Sequence, residues 1–186
     1  MVMSKRVVVV LAPGFEEIEA VTPIDVLRRA QLDVTVAGVG GIAIQGSHGV
    51  TFACDIELDM LGDTPDAVIL PGGLPGAENL GKSEAVRRLV KAVDENGGIC
   101  GAICAAPALT FAKFGLLNGR TATCYPSFER EFDPSTIHSE ERVVVDGTIV
   151  TSRAAGTALE FSLTLAEILV DGETADAVRN SMLVSD

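Results

Sequence analysis

Val7-Val8-Val9-Val10-Leu11 runs into Ala12-Pro13-Gly14 and then into Glu16–Ala30, where Ile18, Val21, Ile24 and Leu27 recur at helical spacing. A continuous β-branched run is what a strand buried on both faces requires. The Pro-Gly step ends the run, and the period near 3.6 that follows starts an amphipathic helix. This strand-turn-helix unit sets the reading of the rest of the chain. Val34–Ala37 is a second strand, and Ile42–Ile44 with Val50–Ala53 forms a hairpin between Gly-rich turns. Ala67–Leu70 is a buried strand that ends at Pro71-Gly72-Gly73.

Ser83 can cap a helix over Glu84–Asn96, with Val86, Leu89, Val90 and Val93 on its buried face. Gly97-Gly98 stops it, Ile99–Ile103 is a strand, and Ala105–Phe114 is the next helix. Strands follow at Thr121–Cys124, Val143–Val145 and Thr148–Thr151, then helices at Thr157–Leu169 and Glu173–Met182. Such alternation predicts an α/β fold, with a mostly parallel central sheet and helices on both faces.

The 186 residues fit one domain, 1–186, with no repeat or linker. The hydrophobic fraction of 47% excludes disorder. Fourteen cations against 26 anions give a net charge of −12 without a basic cluster. That balance argues against nucleic acid, whose binding neutralises phosphates with Lys and Arg, and against an anionic membrane surface. No apolar run reaches the ~18–20 residues of a spanning helix. Met1–Leu11 has the two cations and short apolar run of a signal peptide's start, but Pro13-Gly14 and three glutamates follow without a small-residue cleavage site. A cytoplasmic protein is therefore expected.

In open α/β sheets, sites form where strands end at their carboxyl edge. Four such ends carry notable residues: Gly14 with Glu16, Glu17 and Glu19; Gly72 and Gly73; Cys104; and Cys124-Tyr125-Pro126. Gly101-Ala102-Ile103-Cys104-Ala105-Ala106-Pro107 sets a thiol between a strand and a helix, among small residues that allow a sharp turn. This is the geometry of a nucleophile elbow. Unpaired amides at the helix start favour thiolate over thiol there. A buried structural cysteine is the competing reading, and it suits Cys100 on the strand proper. Four strand residues span ~13 Å, too far for a Cys100–Cys104 disulfide.

Cys54, Cys100, Cys104 and Cys124 make no C-x-x-C pair, and His48 and His138 lie far from them in sequence, so no metal set is expected. Glu16 and Glu17 read as first-turn acids on a solvated face. Glu19 follows Ile18 on the inward side and precedes Pro23, which lacks the N–H to bond the Glu19 carbonyl and should bend the helix. It is the candidate acid partner of Cys104. His138-Ser139-Glu140 mimics an H-x-E pair but sits in the polar stretch Asp133–Arg142 and reads as a solvated loop. Gly72, Gly73 and Gly76 lack a following G-K-[ST] and form no G-x-G-x-x-G, which argues against a nucleotide.

Leu11-Ala12-Pro13-Gly14-Phe15-Glu16-Glu17-Ile18-Glu19, Leu70-Pro71-Gly72-Gly73, Ala102-Ile103-Cys104-Ala105-Ala106-Pro107 and Thr151-Ser152-Arg153-Ala154-Ala155-Gly156-Thr157 together resemble the DJ-one/ThiJ/PfpI superfamily. The match lies in the branch of the parkinsonism-associated protein deglycase and its bacterial relatives. The resemblance implies a flavodoxin-like three-layer sandwich and a homodimer. It implies that Cys104 is the reactive cysteine, that Glu19 is the protonated carboxyl bonded to it, and that the Gly73 and Ala105 amides line an oxyanion pocket beside Gly72. Tyr125 stands where the family often has a histidine. Ala154-Ala155-Gly156 replaces a Gly-Pro-Gly, and His48 stands in for an arginine near the dimer-related site. A peptidase of the family carries a histidine directly after its nucleophile, where this chain has Ala105.

The resemblance implies a cysteine-dependent enzyme without metal or organic cofactor, acting on small 2-oxoaldehydes (glyoxalase) or on their protein adducts (deglycase). The alternative is a redox sensor or chaperone switched by oxidation of Cys104. The helix Glu16–Ala30 is apolar on more than one face, Val26 included. With the His48 hairpin it is the expected two-fold interface.

Overall fold

The computed structural model describes residues 4–184; the outermost residues of the expected span 1–186 lie outside them. In chain order the first half holds β1 (Arg6–Leu11), α1 (Glu17–Arg29), β2 (Asp33–Gly38), β3 (Ala43–Gln45), β4 (Thr51–Ala53), β5 (Ile56–Glu57), β6 (Ala67–Leu70), α2 (Gly76–Lys82) and α3 (Glu84–Glu95). The second half holds β7 (Ile99–Ile103), α4 (Ala112–Phe114), β8 (Thr121–Ala122), β9 (Ile137–His138), β10 (Val143–Asp146), β11 (Ile149–Ser152), α5 (Ala158–Leu169) and α6 (Gly172–Ser181).

Seven strands join one sheet in the order β10-β11-β7-β6-β1-β2-β5. Every pair is parallel except β10–β11. Leaving out the edge strands β5 and β10, the order is that of the flavodoxin-like doubly wound sheet. The crevice of such a sheet opens between β1 and β6, the two strands followed by Glu19 and by Gly72.

The Val run divides between two cores by the two-residue period of a strand. Val7, Val9 and Leu11 pack with Ile24 and Leu27 of α1, Phe161 and Leu165 of α5 and Val178 of α6. Val8 and Val10 pack on the other face with Leu80 of α2, Val86, Val90 and Val93 of α3, and Leu109 and Phe111. Each fully buried valine contributes roughly 1.5–3 kcal/mol relative to an exposed one. The three-layer sandwich is thus built on one short sequence.

Five readings from sequence need correction. Ile18 and Val21 are 56% and 46% exposed, while Ala20, Pro23, Ile24, Val26 and Leu27 are buried. Apolar residues occupy both faces of α1, so periodicity alone could not tell which stripe faces the sheet. The strand expected over Thr121–Cys124 stops at Ala122, and it pairs with β9 in a separate ladder, Thr121 with Ile137 and Ala122 with His138. His138 accordingly lies on a strand, not in a loop. The helix after Cys104 takes a wide π-type turn over Pro107–Phe111 before α4. No helix is expected between Pro71-Gly72-Gly73 and Ser83, yet α2 begins at Gly76, with Pro75 as its N-cap.

Candidate active site

Cys104 is the first residue beyond β7, and its φ of +64° lies in the left-handed region. For a residue with a Cβ this conformation is strained, and at a strand-to-helix turn it lifts the side chain clear of the sheet. Two bonds from separate segments hold it. Its N–H donates to the Ser152 carbonyl at 2.9 Å, and its carbonyl accepts the Tyr125 N–H at 2.8 Å. The sulfur is partly exposed, whereas Cys100 and Cys124 are fully buried and Cys54 nearly so; all four thiols are free. Cys100 directs its thiol at the Val90 carbonyl, 3.8 Å away, the structural role expected of it.

Glu19 enters from the first turn of α1, which runs unbroken across Pro23. The helix start is fixed by Glu16, whose side chain accepts the Glu19 N–H at 2.8 Å as an N-cap. Glu19 is 1% exposed, and its Oε2 accepts the Gly72 N–H at 2.9 Å. The carboxyl and the Cys104 thiol are within hydrogen-bonding reach of each other, and the Gly73 and Ala105 N–H groups face the sulfur. Cys104, Glu19, Gly72, Gly73 and Ala105, named from three distant stretches of sequence, therefore converge.

Glycine is required at this contact. A Cβ on Gly72 would lie 2.6 Å from the Cys104 Cβ and 2.8 Å from Glu19 Oε2. Gly73 has φ +84°, and a Cβ there would strike the Glu16 nitrogen.

Burial raises the Glu19 carboxyl to about 7, against the lowering pull of the Cys104 and Gly72 bonds. The nearby Glu16 charge adds to the rise. The thiol departs from the sequence expectation of a favoured thiolate. Burial pushes it up to about 12, helped by the Glu19 charge and opposed by the Gly73 and Ala105 amides. The two results describe one coupled pair. Its first proton leaves near 7; a thiol facing an ionised Glu19 then holds the second until far higher pH. Between these limits the pair keeps one proton, which the Gly72 amide favours on sulfur and the Gly73 and Ala105 amides favour on the carboxyl.

Tyr125 is tied to the elbow by its backbone. Its ring is 45% exposed and packs edge-on against Phe128, centroids 6.2 Å apart. Glu16 and Glu17 are not the solvated acids expected; each side chain is 14% exposed. Glu17 accepts the His48 N–H at 2.8 Å and pairs with His48 Nδ1 at 2.8 Å, which ties α1 to the β3–β4 turn. Burial opposes its ionisation, but the His48 bonds win and hold its carboxyl at about 2. Nothing in the local sequence signals this link, because it depends on how the hairpin folds back.

A hollow of about 300 Å³ bordered by Asp66, Gly97, Gly98 and Ile99 opens at the amino ends of the strands, away from Cys104. No helix among the described residues is long and apolar enough to cross a membrane.

The chain matches the DJ-1/PfpI family over residues 5–168. It is 43% identical to Protein DJ-1 homolog B of Arabidopsis thaliana over 183 residues, 97% of this chain and 42% of that protein. The chain thus spans under half the length of that relative. It is 31% identical to the glutathione-independent glyoxalase DJR-1.2 of Caenorhabditis elegans, with 96% of each covered. Among solved structures, Toxoplasma gondii DJ-1 in oxidised form superposes with a TM-score of 0.95 at 37% identity, covering 98% of this chain and all of that one. The family match over residues 5–168, with 31% identity to a relative covered over 96% of its length, makes this protein a member of the DJ-1/PfpI family.

Proposed function

We propose that the protein is a cysteine-dependent enzyme acting on small 2-oxoaldehydes or on the adducts they form with amines and thiols. The observation that carries this reading is the buried Glu19 carboxyl within bonding reach of Cys104, with two backbone N–H groups on the same sulfur. The relative named as a glyoxalase supports it.

The thiolate adds to the aldehyde carbon, forming a C–S bond and sending the carbonyl pair to oxygen. The Gly73 and Ala105 N–H groups stabilise that oxyanion, and Glu19 supplies the proton that makes it a hemithioacetal. As carboxylate, Glu19 then takes the hydrogen from the same carbon and returns a proton to the neighbouring one. Oxidation of the first carbon is matched by reduction of the second, so the step is an internal redox isomerisation that needs no cofactor. Water cleaves the resulting thioester to a 2-hydroxy acid. On a glycated substrate the same pair would release the amine or thiol.

Methylglyoxal consumption by chelator-treated protein tests this. Turnover is expected in the parent and lost in Cys104→Ser; equal turnover in the two sinks the reading. A second reading, a thiol switch oxidised to sulfinic acid, is favoured by the half-buried, amide-lined Cys104 and by the relative solved in oxidised form. No turnover, with rapid gain of two oxygens under peroxide, selects it.

The protein's own partner is a second copy. Ile18, Val21 and Val50 are 56%, 46% and 58% exposed on α1 and the adjoining hairpin, an apolar surface that a two-fold contact would cover. Sedimentation as a monomer at micromolar concentration overturns this part.

A further inference from the structure

Sequence spacing separates the histidines from the cysteines, but the small β8–β9 ladder brings two of them together. Cys124 lies two residues past Ala122, and Ala122 is paired with His138. Ser139 N–H closes the ladder on the Ala122 carbonyl at 2.9 Å. Glu129 opens the single helical turn Glu129–Glu131 that folds back over this edge. A sulfur of Cys124, a carboxylate oxygen of Glu129 and a ring nitrogen of His138 then lie within 4.8 Å of one another.

The cluster is unfinished without a cation. Glu129 Oε2 is buried with no hydrogen-bond partner among the described residues. A buried, unpaired carboxylate oxygen is costly. A thiol, a carboxylate and an imidazole thus lie side by side, and one of the carboxylate oxygens is without a partner among the described residues.

We propose that Cys124, Glu129 and His138 form a zinc site, three protein ligands with a fourth position open to water. Thiolate, imidazole and carboxylate together match zinc rather than magnesium or calcium, which take oxygen ligands. Tetrahedral zinc holds its donors ~3.3–3.8 Å apart, so donors within 4.8 Å of one another have to close by at most ~1.5 Å. The His138 side chain is exposed and packs edge-on against Phe132, centroids 6.1 Å apart, so it is free to swing inward. The site lies one residue from Tyr125, whose N–H holds the Cys104 carbonyl. Zinc here would clip the 123–129 segment to β9 and steady the elbow from behind. It takes no part in the chemistry at Cys104 and does not depend on that chemistry being right.

The test uses chelator-stripped full-length protein carrying Cys104→Ser, so that the elbow thiol cannot compete. Cobalt(II) is titrated in and then displaced by zinc. The expected result is one equivalent, with a thiolate-to-cobalt charge-transfer band and tetrahedral visible bands. Cys124→Ser should abolish that band. His138→Ala, an exposed change that leaves the fold alone, should weaken zinc binding at least tenfold, since loss of outer partners alone costs about that much. No thiolate band in the Cys104→Ser protein overturns the proposal. So does an unchanged band in Cys124→Ser, or unchanged affinity in His138→Ala.

Discussion

Replacing Glu19 by Gln keeps the shape of the buried side chain and removes its titration. In the folded protein the Glu19 carboxyl ionises near 7, against 4.5 for the unfolded chain. Its folded value is raised, so below pH 4.5 the carboxyl is neutral in both states and stability is unaffected by it. Between pH 4.5 and 7 the unfolded chain releases the proton while the folded protein keeps it, and stability falls as pH rises. The shift amounts to about 3 kcal/mol at most. Glu19→Gln has no such proton to lose. The stability difference between parent and variant should therefore move by up to ~3 kcal/mol in the variant's favour between pH 4.5 and 7.5. Taking the difference cancels the contributions of Glu17, His48 and the surface acids. Urea unfolding of both proteins at half-unit pH steps measures it. A second readout is independent of stability. Without the ionised carboxylate opposite, the Cys104 thiol should titrate well below about 12, and thiolate absorbance would follow it. Curves that stay parallel between pH 4.5 and 7.5 would show that Glu19 titrates no higher in the folded protein than in the unfolded chain, and the shared-proton account of the site would fail.

Three further outcomes follow from the geometry. Gly72→Ala places a methyl 2.6 Å from the Cys104 Cβ, so the two must part by about 1 Å to reach van der Waals distance; a loss of about 1–3 kcal/mol in stability and about a hundredfold in methylglyoxal kcat/KM is expected, and unchanged values in both assays contradict the close contact. Tyr125→Phe should leave Cys104 alkylation and turnover nearly intact, because only the backbone of Tyr125 is bonded to the elbow; a hundredfold fall in kcat, about 2.7 kcal/mol, would assign the hydroxyl a chemical role. The Glu17–His48 pair stabilises within a window: the depressed Glu17 contribution is lost as pH falls from 4.5 towards 2, and the raised His48 contribution is lost as pH climbs above 6.5. Glu17→Gln should thus lower the melting temperature most near pH 5–6, and a loss that is the same at pH 3, 5.5 and 9 refutes the pairing.

The layers and the reactive pair were readable in sequence for a common reason. Val7–Leu11 and Ala67–Leu70 are so uniformly apolar that only a sheet covered on both faces can hold them, and strand ends in such a sheet meet along one edge. Cys104 and Gly72 each follow such a strand directly, so their meeting follows from topology. Glu19 was harder, since its neighbours Ile18 and Val21 point outward and the inward stripe is set by Pro23, Ile24 and Leu27. The grasp of Glu17 on His48, and the approach of His138 to Cys124, were illegible. Both depend on chain reversals through Gly-containing and polar segments, where no periodicity fixes which residues face each other. The raised thiol was missed because amides at a helix start were weighed without the burial that accompanies them.

The left-handed backbone at Cys104 sets stability against chemistry at a single position. Such a conformation is held at a cost of order 1–3 kcal/mol for a residue with a side chain, and at almost none for glycine. Selection for thermal resistance alone would favour glycine there, and a variant library sorted on melting temperature should enrich Cys104→Gly while discarding every thiol-dependent property. A protein engineered for robustness without a counter-screen for the thiol would drift towards an inert scaffold of unchanged shape.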